Sequence, residues 1–213
     1  MGIIERNRKL TNVKKSEIID GMEKALRSKS YDRLTIDDVA KEAEYSKKTI
    51  YSYFKSKNEI YLELLMRKFN LLYDALENAV DGSGKTGVEK IRVIGKAYYK
   101  FANELPEYMQ AIINFETKSD AESGNDSQIM EQFNTETEKS FLLLEEALRE
   151  SIANNEISPE TDVISAAIIL WSNINGFIML VSKKGGYIQS NYGKSLDELF
   201  DYNMEMLLRA FLR

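Results

Sequence analysis

The stretch that most restricts what this chain can become is Thr35–Lys57, TIDDVAKEAEYSKKTIYSYFKSK. Thr35 stands just before the apolar positions Ile36, Val39, Ala40 and Ala43, with Asp38 three residues on, a capping-box arrangement that opens a short helix. Glu44-Tyr45 makes a turn. Ser46 then caps a helix of barely two turns, Lys47 to Phe54, whose Ile50 and Phe54 are assigned to the core, and Ser56 with Glu59 caps the next helix. Two short helices on a tight turn read as a helix-turn-helix. A helix that enters the major groove of DNA reads base edges with its N-terminal residues, and here those are Lys47, Lys48 and Thr49. Lysine donates to guanine O6 and N7, and a threonine methyl meets a thymine methyl.

Composition narrows the rest. The chain of 213 residues has no cysteine, which removes disulfides and thiolate metal sites, and no histidine, which removes the commonest general base and the Ser/His or Cys/His nucleophile pairs. We therefore expect neither an enzyme nor a metal or other cofactor. Residues 1–60 hold 14 Lys and Arg against 10 Asp and Glu, whereas the remainder holds 15 against 24. A basic head on an acidic body fits a head that meets phosphate. Arg6, Arg8, Lys9, Lys14 and Lys15 run straight into the first helix, so no apolar signal core opens the chain, and a cytoplasmic, nucleoid-associated protein is expected.

Helical periodicity continues to the end, without β alternation. Residues 1–12 read as a flexible basic arm, followed by a helix from Val13 to Ser28. The helix capped by Ser56 runs to about Val80. Gly84-Lys85-Thr86 resembles the end of a phosphate loop, but Ala79 stands where that motif needs glycine, and Thr86 with Glu89 reads instead as a cap. Further helices span about Thr86–Leu105, Pro106–Thr117 and Ser127–Asn154, with a polar segment at Lys118–Asp126. Ser158-Pro159 marks another start, with proline at the first helical position, and Ser195 with Glu198 opens the last. Val163–Val181 has no charge, so its length alone would suit a membrane span, but Ser172, Asn173 and Asn175 in its middle favour burial within protein. The expectation is an all-α chain: a three-helix head over residues 1–58 and a helical bundle over residues 59–213.

Thr49, Ile50, Tyr51, Tyr53, Phe54, Lys57 and Glu59, at their spacing, resemble the TetR/AcrR family of bacterial transcriptional regulators, over roughly Lys14–Leu64. The resemblance implies phosphate contacts from the positions of Tyr51, Tyr53, Lys57 and Thr35. It implies that the last two long helices pair with those of a second copy, so that a homodimer meets a near-palindromic operator in double-stranded DNA, with no membrane. It also implies a body that answers a small, largely apolar effector, which releases a repressor from that operator. Candidate pocket residues are Tyr98, Phe101, Tyr108, Met109, Ile112, Phe115, Trp171, Asn175 and Ile178, the apolar ones as walls and Asn175 as an orienting group. Glu116 hints at a cationic ligand, although a solvated acid is the simpler reading. The alternative to a ligand-relieved repressor is a DNA-bound scaffold of the same fold acting through a protein partner. One departure stands out: the family has glycine followed by valine or isoleucine in the turn, and this chain has Glu44-Tyr45. A non-glycine residue in a left-handed backbone costs about 1 kcal/mol, which predicts a slightly reshaped turn.

Overall fold

The computed structural model describes residues 2–81, 86–116 and 127–211, and among these every extended regular element is an α-helix. In chain order they are α1 (Ile3–Leu26), α2 (Ile36–Glu42), α3 (Lys47–Tyr51), α4 (Lys57–Val80), α5 (Gly87–Glu104), α6 (Pro106–Glu116), α7 (Ser127–Ala153), α8 (Val163–Tyr192) and α9 (Leu196–Phe211), with a short 3-10 turn at Tyr31–Arg33. The expected all-α class is what the chain adopts. It divides into two compact units, one of Met1–Phe69 with Lys118–Glu136 and one of Asn70–Thr117 with Thr137–Arg213. The division falls inside α4. The candidate phosphate loop at 82–85 and the polar segment at 118–126 lie outside the described residues.

The caps explain most boundaries. At α2, Asp38 N–H donates to Thr35 Oγ1 at 3.3 Å while Thr35 N–H donates to the Asp38 carboxylate at 2.9 Å, so the box closes in both directions. Ser46 Oγ accepts from Thr49 N–H at 3.1 Å and Ser56 Oγ accepts from Glu59 N–H at 3.1 Å. Thr86 and Glu89 form a second complete box at α5.

Three boundaries differ from the sequence expectation. The segment expected to be a flexible arm is the beginning of α1, which starts at Ile3 rather than Val13. Residues 5–13 are exposed, so no buried face marks them; Glu, Arg, Lys and Leu, all good helix formers with no proline among them, favour the helix by propensity. Helix α3 ends at Tyr51 rather than Phe54, because Tyr53 and Phe54 both turn their N–H groups onto the Ile50 carbonyl, at 2.9 and 3.0 Å. Pro159 does not open α8. It sits second in a β-turn closed by Thr161 N–H on the Ser158 carbonyl at 3.1 Å, and α8 starts after Asp162, whose carboxylate accepts from Ser165 N–H at 2.8 Å.

In the first unit the core gathers Ile18, Met22, Val39, Ile50, Phe54, Ile60, Leu62 and Leu65, all essentially without exposure. Ion pairs tie α1 to α4: Lys68, 3 % exposed, pairs with Glu23 at 2.8 Å, and the more exposed Arg67 pairs with Asp20. Burial lowers the Lys68 pKa, with Glu23 opposing the shift. In the second unit a polar row joins α5 to α9. Arg92 makes a two-pronged pair with Glu205, at 2.7 and 3.2 Å, Lys96 meets Asp201 at 3.0 Å, and the Tyr99 hydroxyl donates to Asp197 at 3.0 Å while its ring stacks on Phe200 at 4.2 Å.

At Gly21 the backbone of α1 packs closely against the end of α2. A Cβ there would come within 2.5 Å of Ala43 Cβ and 2.8 Å of its backbone nitrogen. A backbone neighbour cannot swing aside, so the overpacking, typically about 1–3 kcal/mol, outweighs the gain of about 1 kcal/mol from replacing a helical glycine. Gly21→Ala is expected to lower the melting temperature by several degrees in a thermal scan; a rise would show that α1 and α2 can separate freely.

Candidate nucleic-acid interface

The turn between α2 and α3 is built from backbone hydrogen bonds. Tyr45 N–H donates to the Ala40 carbonyl at 3.0 Å and Glu44 N–H to the Lys41 carbonyl at 3.3 Å. That is a Schellman ending, in which the residue after the cap must be left-handed, and Glu44 has φ +58°. The turn is therefore not reshaped: Glu44 occupies a glycine backbone. Tyr45 compensates by reaching back to α1, where its hydroxyl donates to the Glu17 carboxylate. This contact was invisible in the sequence, although an aromatic hydroxyl in place of an aliphatic turn residue was its only signal.

The turn presents α3 by its N-terminus. Lys47 and Lys48 are exposed there, and Thr49, half-buried, shares a 2.8 Å hydrogen bond with Ser46 Oγ. Lys47 pairs with Asp37 of α2 at 3.1 Å, both largely exposed, so this pair contributes little to stability and can open. Tyr51 is 50 % exposed and Tyr53 is half-buried. Thr35 is exposed, but its hydroxyl proton already goes to Asp38, at 2.8 Å. The Asp38 carboxyl is held down to about 2, first by its hydrogen bond from Lys29 and then by those from Thr35. Its folded value lies below the ordinary 3.8, so this cap is intact above that value and is lost as pH falls toward about 2.

Lys57 has a second employment. Its ammonium donates to the carbonyls of Tyr31 and Leu34, each at 2.9 Å, and lies 4.2 Å from the centre of the Tyr31 ring. Two of its three N–H bonds thus anchor the 3-10 turn to the start of α4. Tyr31, missed in the sequence, completes this corner by stacking on Tyr61 with ring centres 4.3 Å apart and donating to Asn58 at 3.2 Å.

The candidate effector residues lie in the second unit. The Tyr98 hydroxyl donates to Asn175 Oδ1 at 2.7 Å, joining α5 to α8. Phe101, Met109, Ile112 and Ile178 are buried, Tyr108 is half-buried, and Trp171 meets Phe141 edge-on with centres 6.3 Å apart. The side chains of Phe115 and Glu116 lie outside the described residues.

Two family models match the chain, one for bacterial regulatory proteins of the tetR family over residues 18–64 and one for the tetracyclin repressor-like C-terminal domain over residues 91–207. The second alone spans more than half of the sequence. The chain belongs to the tetR family. It is accordingly a DNA-binding regulator of bacterial type, and the match over residues 18–64 covers the turn and α3. No curated protein matches the sequence. Among solved structures, the regulator FadR of Bacillus subtilis in complex with stearoyl-CoA is 19% identical, with 91% of this chain and 97% of that one covered and a TM-score of 0.70. The fatty acid degradation regulator FadR of Bacillus halodurans is 17% identical, over 92% and 94%, at 0.69. A protein of unknown function from Rhodococcus sp. RHA1 is 21% identical, over 94% and 96%, at 0.75. At these identities they establish the shared tetR fold.

Two predictions follow from the geometry of the tetR head. Glu44→Gly should stabilise it by about 1 kcal/mol by removing the left-handed penalty, a rise of about 2–4 °C for a chain of this size. Glu44→Gln should leave the melting temperature unchanged, which separates charge from backbone. If the glycine variant melts no higher, the turn is unstrained. Lys48→Ala should alter sequence preference, while Tyr51→Ala should weaken binding to specific and scrambled duplexes alike. Lys57→Met should do the same and also lower the melting temperature, because two carbonyls lose a charged donor. Titrations of each variant against both duplexes check the assignment.

Proposed function

We propose that this tetR protein is a homodimeric repressor of near-palindromic operators, released when a small, largely apolar molecule binds its C-terminal body. Residues 1–58 read DNA, and residues 59–213 dimerise and bind the effector, in a cytoplasmic, nucleoid-associated regulator. The observation that carries this reading is α3, short and held end-on by a Schellman turn with Lys47, Lys48 and Thr49 at its leading edge. Tyr51, Tyr53 and Lys57 take phosphates around it, Lys57 with the one N–H that its carbonyl partners leave over, whereas Thr35 would have to give up its bond to Asp38 to join them.

Dimerisation is supported by the faces of α8 and α9. By length and composition α8 is apolar enough to cross a membrane, yet its most apolar window is only 28% buried within the chain. Ile164, Ile168, Ile169, Met179 and Leu180 are exposed along it, and Tyr202 and Met206 are exposed on α9. A Cβ on Gly176, midway along this stripe, would meet nothing within 4 Å. A second copy of the same stripe covers such a surface by two-fold symmetry, and two-fold symmetry in the protein demands it in the operator.

The effector class is drawn from the relative that holds stearoyl-CoA and from the fatty acid degradation regulator. A long acyl chain suits walls such as Phe101, Met109, Ile112 and Ile178, with the Tyr98–Asn175 pair as the polar group that orients it. The ligand would favour a body conformation that sets the two heads at the wrong spacing, a population shift. Stearoyl-CoA at about 100 times its dissociation constant should stabilise the protein by about 2.7 kcal/mol in a thermal scan and weaken operator binding roughly 5- to 150-fold. Tighter operator binding would make the ligand a co-repressor, and no response to it would favour a scaffold that works through a protein partner. Leu180→Glu should convert the dimer to a folded monomer by light scattering, with operator affinity lost; a dimer that persists places the interface elsewhere.

A further inference from the structure

Helix α3 is anchored at one end and aimed from the other. Five residues long, it keeps Ile50 and, just beyond its last turn, Phe54 in the core. Its leading end, with Lys47 and Lys48 exposed, takes its direction from the turn. Side chains that have to meet a target in one geometry must be held to about 0.5 Å and 10–20°. The residue from which α3 is aimed is Glu44, at φ +58°, a conformation that a residue other than glycine keeps only where its surroundings impose it.

Helix α1 imposes it from both sides. Gly21 and Glu17, four residues apart, lie on one face of α1 a single turn from each other. Gly21 admits Ala43, the residue before Glu44, so closely that a Cβ there would come within 2.5 Å of Ala43 Cβ. Glu17 accepts a hydrogen bond from the hydroxyl of Tyr45, the residue after Glu44. Glu17 is itself fixed, since Ile18 and Ile19 next to it are buried. The acceptor is a carboxylate, which makes the bond charge-assisted. That bond, with burial, the Glu17 charge and the neighbouring Tyr53 adding to it, raises the Tyr45 pKa above its ordinary 10.0. The hydroxyl therefore keeps its proton, and the bond its donor, throughout the neutral range.

We propose that Tyr45 and Glu17 are positioning residues for sequence recognition: their hydrogen bond sets the angle at which α3 leaves the turn, and so which base edges Lys47, Lys48 and Thr49 reach. This rests on α3 as the reader of bases and adds a determinant that touches no base. Base edges are read by donors and acceptors that have to be aligned, whereas phosphate contacts carry no sequence information. Loss of the tie therefore costs discrimination before it costs binding. Glu44 and Tyr45 go together in this arrangement, a left-handed residue that is not glycine and the side chain that holds it in place.

The test uses the full-length protein and two probes: the duplex that the parent selects from a randomised pool, and a shuffled duplex of the same composition. Each is titrated by fluorescence anisotropy. Tyr45→Phe keeps the ring and removes only the hydroxyl. It should lower the ratio of the two affinities roughly 5- to 150-fold, the worth of one aligned base contact, mainly by weakening binding to the selected duplex. Glu17→Ala should do the same, and the double variant should be no worse than either single one, because all three lack the same bond. Glu17→Gln keeps an acceptor oxygen and should keep most of the ratio. A bond that serves stability alone would lower the melting temperature or weaken both duplexes in parallel, with the ratio unmoved. That result overturns the proposal, and so do additive losses in the double variant. A parent that selects no preferred sequence overturns α3 as a reader of bases as well.

Discussion

Gly21 lets the backbone of α1 come against Ala43, at the end of α2, so closely that no side chain fits between them. That contact sets where the turn begins, and the turn sets where α3 points. The chain leaves α2 through a left-handed residue, and the two backbone bonds of the Schellman ending, with the Tyr45 hydroxyl on Glu17, leave it no alternative path. Strain at a single residue persists where its surroundings over-determine it. Glu44 fits that description: the hydrogen bonds on either side, not its own side chain, decide its conformation.

Much of this was legible before any coordinates. Caps are short-range chemistry, and Thr35–Asp38, Ser46, Ser56 and Thr86–Glu89 all stand where their residue types put them. The elements with a buried face were legible for the same reason that they are stable, since periodicity reports burial. What escaped lay where neither signal operates. Residues 5–13 of α1 are all exposed, so nothing in their spacing distinguishes a helix from an arm. Ser158-Pro159 satisfies the preferences of a helix start and of a β-turn equally, and the choice fell to Asp162 four residues later. Side-chain partners far apart in sequence were the least legible. Lys57 finds the Tyr31 and Leu34 carbonyls, and Lys47 finds Asp37, only once α2, α3 and α4 are assembled. The turn itself shows the same limit from the other side: the sequence departure at Glu44 was visible, but whether the backbone or the residue would yield was decided by packing.

The body shows a different division of labour. Helix α8 has a packed side, with Ala166, Ala167, Leu170, Ile174 and Ile178 buried, and an apolar side left in the open. Helix α9 buries Phe200, Met204 and Leu208 and adds to them a row of charged and polar pairs along α5. Apolar contact is indifferent to small slides, whereas a two-pronged guanidinium–carboxylate pair is not. The register of α9 against α5 is therefore specified more sharply than apolar packing alone would specify it.

Tyr98 and Tyr99 are neighbours in α5, about 100° apart around its axis, and each belongs to a different helix. The first holds Asn175 of α8, and the second holds Asp197 and stacks on Phe200 of α9. The two anchorages are separated by one peptide bond, so α5 works as a keel shared between two planks. Whatever prises Tyr98 from Asn175 and turns α5 even slightly turns Tyr99 in the same motion, and with it the row of Arg92 and Lys96 that grips α9. Beside the direct contacts of α8 with α9, at Asn173–Asn203 and Phe177–Phe200, this gives the two helices a second connection through a single stretch of α5.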